Sequence, residues 1–174
     1  EKRIEELEGK ADDQEQYSRR TSVRIYGVPE NEGEDVLSVT NQLFQSMNVS
    51  PTINRVHRVG APRKSTADAV RNGSDNASSS RPSNSPRPIL CQFVAYPDKT
   101  KVLRQRRSLS SSYPSVFINE DLTRKRAKIL FNARQMKRQG IIKECWSFDG
   151  RIAVKDKKDT IVPIHSVSDL MKLK

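Results

Sequence analysis

One short run limits the folds open to this chain. In residues 22–28, apolar side chains alternate with Arg24 and Tyr26, and a second run of the same kind spans residues 89–96. Alternation with a period of two is typical of a strand that has one buried face and one open face. We predict that the two strands pair in the middle of one sheet and that Arg24 and Tyr26 share its open face.

The segments around these strands indicate the topology. Apolar spacing of three and four predicts helices over residues 33–48 and 99–109, the second capped by Asp98, and short apolar runs predict strands over 53–60 and 116–118. The order strand, helix, strand, strand, helix, strand is that of the ferredoxin-like split unit and the RNA-recognition motif. The strand at 53–60 carries Arg or His on both faces, so its orientation stays open.

Residues 61–88 differ from the rest in composition. Ser, Asn, Arg and Pro dominate, and few side chains there suit a core. This pattern predicts a disordered basic insertion over 61–87 within an RNA-recognition-motif-like domain that spans 21–119. Two interpretations remain: a plain surface insertion, or a segment whose basic residues wrap a phosphate backbone.

Residues 1–18 have a helical pattern, and residues 1–17 are acidic. Ile4, Leu7 and Ala11 follow the spacing of a heptad seam. The pattern predicts either the end of a coiled coil that continues upstream and oligomerises the protein, or a short surface helix that frays.

A second unit is predicted from residue 120 to residue 174. Thr123 is a candidate N-cap for a helix that runs to about Gln139, and Asp149-Gly150 is a strong hairpin signal. Strands are expected on both sides of this turn and once more, over 141–148, 151–155 and 160–164. The unit is a small helix with a three-stranded sheet.

Ser166 and Asp169 have capping-box spacing and predict a short last helix. The predicted fold class is therefore α+β: a coiled-coil end over residues 1–20, an RNA-recognition-motif-type domain, and a small α+β C-terminal domain.

Charge points to a polyanionic partner. The formal net charge is +11 and the pI is near 9.9, with residues 1–17 at −4 and residues 120–174 at +7. Such a balance favours nucleic acid. No apolar run approaches the length that crosses a membrane, so we expect no membrane partner.

Catalytic and metal chemistry find little support in the sequence. Cys91 and Cys145 lie in predicted strands, which favours buried, reduced thiols, and no Cys/His cluster has zinc spacing. His57 and His165 have no matching acid and nucleophile for a hydrolytic triad. We expect no enzyme activity, no metal and no cofactor.

Two parts of the chain resemble known families. The run Asp12 to Arg20, followed by Arg24 to Glu30, resembles the junction between coiled coil and RNA-recognition motif in the first-reading-frame protein of LINE-type (non-LTR) retrotransposons. His57-Arg58-Val59-Gly60, Arg87-Pro88-Ile89 and Phe93 follow in the order of that family.

The C-terminal part has a second resemblance. Residues 118–123 through Ala133-Arg134, then Trp146 and residues 149–152, are also similar to the baculovirus few-polyhedra protein family. The two families share this region.

The resemblance implies a homotrimeric coiled coil and two further domains that together bind single strands, package RNA and act as a nucleic-acid chaperone, without catalysis. It implies RNA contacts at Arg20, Arg24, Arg58 and the basic start of the C-terminal helix. Leu90 and Gln92 replace the aromatic residues usual on the third strand of an RNA-recognition motif, so backbone electrostatics should dominate affinity.

The residues expected to contact nucleic acid are mostly basic, with one tyrosine and one amide: Arg19, Arg20, Arg24, Tyr26, Arg55, Arg58, Gln92, Arg104, Arg107, Arg124, Lys125, Lys128 and Arg138. Trp146 has two interpretations, as a core residue or as a base-stacking ring.

We therefore predict a non-catalytic protein that coats single-stranded RNA or DNA with little sequence specificity, as a homo-oligomer in a cytoplasmic or nuclear ribonucleoprotein. The alternative is a protein-interaction or assembly module of viral or domesticated host origin.

Overall fold

The computed structural model describes residues 2–61 and 85–173, which form a mixed α+β structure with two antiparallel sheets. Most of the predicted insertion lies outside these residues. In chain order the elements are α1 (Lys2–Ser18), β1 (Ser22–Tyr26), α2 (Val36–Ser46), β2 (Ile53–Arg58), β3 (Ile89–Phe93), α3 (Tyr96–Gln105), a 3₁₀ turn (Arg106–Ser108), α4 (Leu109–Ser112), β4 (Phe117–Glu120), α5 (Arg124–Arg138), β5 (Glu144–Phe148), β6 (Arg151–Lys155), β7 (Ile161–Ile164) and α6 (Val167–Met171).

The first sheet has the strand order β2-β3-β1-β4. Strand β1 pairs antiparallel with β3 on one side and with β4 on the other. The predicted pairing of the two alternating runs in the middle of one sheet is therefore confirmed.

One face of this sheet is buried beneath helices. Val23, Ile25 and Cys91 are fully buried, and Phe44 of α2 and Val102 of α3 complete the same core. Each fully buried large apolar side chain contributes about 1.5–3 kcal/mol relative to an exposed one. Because side chains alternate along a strand, Arg24 and Tyr26 lie on the opposite face, as predicted.

Gly27 ends β1 in a conformation that other residues rarely adopt. Its φ angle is +80°, and a Cβ at this position would collide with the backbone oxygen of Ser115. Glycine therefore allows the end of β1 to lie directly against the loop before β4.

Both helices of this unit differ from the predictions at their N-termini. Helix α2 begins at Val36 because the side chain of Asp35 accepts a hydrogen bond from the backbone N–H of Leu37. Helix α3 begins at Tyr96, before Asp98, since Pro97 fits the first turn, where an N–H has no helical partner. The prediction of Asp98 as N-cap is wrong: its carboxylate accepts from Thr52 N instead.

The second sheet has the order β5-β6-β7 and packs against α5. Asp149 and Gly150 both have positive φ, which confirms the predicted Asp-Gly hairpin turn. Ser166 and Asp169 form the predicted capping box of α6. These local signals are strong because each involves neighbouring residues only.

Both cysteines are free thiols. Cys91 is buried in the first core, and burial raises the pKa of its thiol to about 12. Cys145 is half-buried, and burial also raises the pKa of its thiol. Neither thiol is therefore suited to act as a thiolate nucleophile at neutral pH.

Candidate nucleic-acid interface

The open face of the four-stranded sheet carries polar, basic and aromatic side chains. Cross-strand register places Arg24 opposite Leu90 on β3 and opposite Asn119 on β4, while Arg55 of β2 is opposite Gln92. We call this surface the open face. Its members are Arg24, Tyr26, Arg55, His57, Leu90, Gln92, Phe117 and Asn119.

Two aromatic residues are neighbours across strands β1 and β4 on the open face. Tyr26 and Phe117 are direct cross-strand partners, and Phe117 is 60% exposed. The Cβ atoms of such partners lie about 4.5–5.5 Å apart, so both aromatic side chains project from the same part of the open face. Phe117 lies on the edge strand β4, and together with Tyr26 it adds exposed apolar surface to the open face.

Phe117 is absent from the residues predicted from the sequence. The burial of its two neighbours indicates its orientation. Val116 and Ile118 belong to the core, so Phe117 between them must face the opposite side of the sheet. The sequence run alone was too short to give this strand a register.

Arg24 and Arg19 are both held by Asp121. The carboxylate of Asp121 accepts from Nε of Arg24 at 2.6 Å and from Nη1 of Arg19 at 3.0 Å. Burial alone lowers the pKa of Arg24, but the hydrogen bond and the charge of Asp121 outweigh burial and raise the pKa above its usual value. Arg24 therefore stays charged, with part of its guanidinium exposed beside Tyr26.

Arg20 forms a cation–π contact at the end of α1. Its guanidinium carbon lies 4.0 Å from the centroid of the Tyr17 ring, and both side chains are exposed. This pair directly precedes β1 and offers a cation and a ring together.

Arg55 and His57 occupy the β2 edge of the open face. Arg55 is exposed, whereas His57 is half-buried and its Nδ1 has no hydrogen-bond partner among the described residues. Gln92 is already engaged, since its Oε1 accepts from Nδ2 of Asn54. Arg55 is therefore exposed on this edge and has no ion pair with any other residue that the structure describes.

Arg58 does not belong to the open face. Its side chain is only 5% exposed, and its Nε lies 2.7 Å from Glu34. It also donates to the backbone oxygens of Val28, Pro29 and Arg87. Its guanidinium therefore ties the loop after β1 to β2 and has little capacity for an external phosphate.

Arg87 has a similar internal role, although the sequence-based prediction placed it inside the insertion. It pairs with Glu30 and donates to the backbone oxygen of Gly60 at 2.9 Å. The hydrogen bond from Arg87 lowers the pKa of Glu30. The two ends of the insertion thus lie close together.

Arg104 and Arg107 lie on the helical side of the sheet. Helix α3 packs on the buried face, so neither residue is brought together with Arg24 or Tyr26. Arg104 instead lines a groove of about 550 Å³ between α3 and the loop before β2. Both arginines are exposed, on a surface separate from the open face.

Helix α5 presents a second basic surface, which we call the α5 face. The predicted residues Arg124, Lys125, Lys128 and Arg138 are all exposed, and Phe131 lies among them. The helical periodicity of 3.6 residues places Phe131 between Lys128 and Arg138. Sequence reasoning missed Phe131, whose exposure follows from the burial of Ile129, Leu130 and Ala133 on the other side of the helix.

The segment from Glu120 to Thr123 joins α1, the first sheet and α5. Gln16 donates to the backbone oxygen of Asp121 at 3.1 Å and accepts from Thr123 N at 2.9 Å. Arg126 pairs with Asp12 at 2.8 Å. Because Gln16, Asp121 and Thr123 are buried, this junction holds the end of α1 against the start of α5.

The part of the chain that the structure describes contains no cluster of His, Cys, Asp or Glu able to hold a metal ion. Across those same residues, no helix combines the length and apolar character needed to span a bilayer. No protein-family model matches this chain, and a search among curated proteins finds no match either.

Proposed function

We propose that this protein binds single-stranded nucleic acid without catalysing a reaction and that the open face is its principal contact surface. The observation that carries the proposal is the exposed Tyr26–Phe117 pair next to Arg24 on an antiparallel sheet. RNA-recognition motifs stack unpaired bases on aromatic rings of such a sheet, and stacking tolerates any base. In this proposal the four-stranded unit is RNA-recognition-motif-like.

Electrostatics would supply most of the affinity. Arg24, Arg55 and the basic residues of the α5 face can neutralise phosphates, which releases counterions and makes binding salt-sensitive. The open face has few groups left to read base edges, because Gln92 is paired with Asn54. We therefore propose low sequence specificity for RNA or DNA.

Helix α1 supports a proposal of self-association. Ile4 and Leu7 are both largely exposed, as the two apolar positions of a seam would be before a partner helix covers them. We propose a homo-oligomeric coiled coil, trimeric as the family resemblance implies, that multiplies weak contacts through effective concentration. Such an assembly would coat RNA in a cytoplasmic or nuclear ribonucleoprotein of mobile-element type and act as a chaperone.

The test is fluorescence anisotropy with a labelled single-stranded RNA of about 20–30 nucleotides, a length that spans several contact sites. We expect affinity to fall steeply with salt and to change little between unrelated sequences. Arg55→Ala should reduce the salt slope by about 1, the value for one lost phosphate contact.

Arg104→Ala is the matched control, because it removes the same charge from the helical side of the sheet. An equal effect of both variants would indicate diffuse attraction instead of contact at the open face. A flat salt response, or no binding at low salt, would reject the proposal and favour a protein-interaction module.

A further inference from the structure

The three-stranded sheet has an outer face that is separate from both the open face and the α5 face. Its inner face packs on α5 through Ile152, Val154 and Ile164. Since side chains alternate along each strand, the neighbouring residues point outward. We call this surface the outer C-terminal face; its members are Glu144, Trp146, Phe148, Arg151, Ala153, Lys155, Ile161 and Pro163.

Register brings the two aromatic residues of β5 next to small and basic partners. Trp146 is opposite Ala153, which in turn is opposite Pro163 on β7, and Phe148 is opposite Arg151. Because Ala153 has a short side chain, no large side chain lies directly opposite the indole of Trp146 on β6. Phe148 is 67% exposed and Trp146 is half-buried, so the face offers rings at its surface.

The charges on and around this face are mainly basic. Arg151 is exposed, and Lys157 and Lys158 lie exposed in the turn after β6. Of the acidic groups nearby, Glu144 lies 2.6 Å from Lys137 and Asp159 lies 2.8 Å from Lys155. Asp149 lies 3.7 Å from Lys99, and Asp156 accepts hydrogen bonds from the backbone N–H groups of Lys158 and Thr160. The net field therefore favours an anionic ligand, and the rings favour one with planar groups.

We propose that the outer C-terminal face is a second stacking surface for single-stranded nucleic acid. Bases lie against Trp146 and Phe148, and Arg151 meets a neighbouring phosphate. This inference rests on the proposed function and extends it, because the open face and the outer C-terminal face combine exposed rings with an arginine in the same way. One strand long enough to reach both would be bound in two places.

The chain contains one tryptophan, so its fluorescence reports on Trp146 alone. The full chain is titrated with a labelled single-stranded uridine oligonucleotide of about 30 nucleotides, and anisotropy of the label and tryptophan emission are recorded together. We expect emission to fall with the same midpoint as the rise in anisotropy, since a stacked base quenches indole fluorescence.

Two variants separate stacking from a remote effect. Phe148→Ala should weaken binding by about 5- to 150-fold, the range for loss of one stacked base. Arg151→Ala should weaken binding and reduce its salt slope by about 1. Met171→Ala is the control, because it removes an exposed apolar side chain from α6 of the same unit and should change neither readout.

Anisotropy and tryptophan emission together distinguish failure of this inference from failure of the proposed function. Normal binding by anisotropy with unchanged emission overturns this inference and leaves the proposed function intact. If emission of the unmodified chain falls but Phe148→Ala and Arg151→Ala bind with unchanged affinity, the fall in emission is a remote effect. This result also overturns the inference. Emission that changes with protein concentration alone would mean that a second copy covers the face, and this also overturns the inference. Absence of binding at low salt rejects the proposed function and this inference with it.

Discussion

Asp121 and Arg24 lie 97 positions apart in the chain, and Oδ1 of Asp121 accepts a hydrogen bond from Nε of Arg24 at 2.6 Å. The carboxylate is 4% exposed and also binds Arg19. It therefore restrains two cations at the edge of the proposed binding surface. Nucleic-acid phosphates would compete with Asp121 for both.

Asp121→Asn should have opposite effects on stability and on binding. Loss of the buried charge weakens the charge-assisted hydrogen bonds from two arginines, so the free energy of unfolding should fall by about 1–3 kcal/mol. The released arginines can meet phosphates, so the salt slope of RNA binding should become steeper by about 1–2. Urea unfolding and anisotropy measure the two effects.

Glu6→Gln is the control for Asp121→Asn. It raises the net charge by the same amount, but Glu6 forms an exposed pair with Lys10 on α1. It should change the salt slope little. Weaker binding by a folded Asp121→Asn protein would contradict the release mechanism and would mean that Asp121 positions Arg24 for its contact.

Phe117→Ala should damage binding far more than stability. Loss of a stacked base costs about 1–3 kcal/mol of binding free energy. Loss of the exposed cross-strand pair with Tyr26 costs about 0.2–1 kcal/mol of folding free energy. Anisotropy and thermal unfolding test this pattern, with Leu37→Ala on α2 as the control for an exposed apolar side chain. Equal binding losses in both variants would argue against stacking at the open face.

Local sequence patterns predicted the parts of this fold that depend on neighbouring residues. The alternation around Arg24, the Asp-Gly hairpin and the Ser166 capping box are all confirmed, because each signal and its structure lie within a few residues. The pairing of β1 with β3 was also predicted, since both runs are the most apolar alternating segments of the first unit.

Properties that depend on distant partners could not be predicted in the same way. The internal pairing of Arg58 with Glu34 and the role of Asp121 follow from contacts between separate segments. Phe117 belongs to the open face because the register of β4 places it opposite Tyr26. An arginine in a basic sequence looks the same whether it meets a phosphate or a buried carboxylate, so the sequence alone could not separate Arg58 from the exposed arginines.

The Asp169 carboxylate predicts a specific acid sensitivity. A hydrogen bond from Lys172, together with those from the backbone of His165 and Ser166, lowers its pKa from 3.8 to about 2. Because the folded-state pKa is depressed, the stabilisation is complete above pH 3.8 and is lost as the pH falls towards 2. Asp169→Asn should therefore lower the urea midpoint at neutral pH and have little effect near pH 2.

The control for this pH dependence is Glu8→Gln, an equal change of charge on the exposed side of α1. The difference in urea midpoint between this variant and the unmodified chain should stay constant between neutral pH and pH 2. If Asp169→Asn also ran parallel, the α6 capping box would not contribute to the acid sensitivity.

The buried pair Lys99–Glu120 gives the sharpest test of how the two sheets are joined. The Nζ and Oε1 atoms are 3.0 Å apart, and the side chains are 3% and 4% exposed. Glu120 also accepts from Gly150 N in the hairpin turn of the second sheet. Lys99→Met alone leaves a buried carboxylate without its cation, which should cost about 3–5 kcal/mol of unfolding free energy.

The double variant Lys99→Met with Glu120→Leu should recover most of that loss, because an apolar pair of similar volume avoids the cost of burying charge. These variants form a double-mutant cycle. The same cycle at the exposed pair Lys137–Glu144 should give a coupling energy below about 1 kcal/mol. A double variant no more stable than the worse single variant would show that the charges are needed for the junction itself. If the double variant is stable and binds RNA normally, the pair serves stability and not recognition, since it lies on the helical side of the sheet and away from Arg24 and Tyr26.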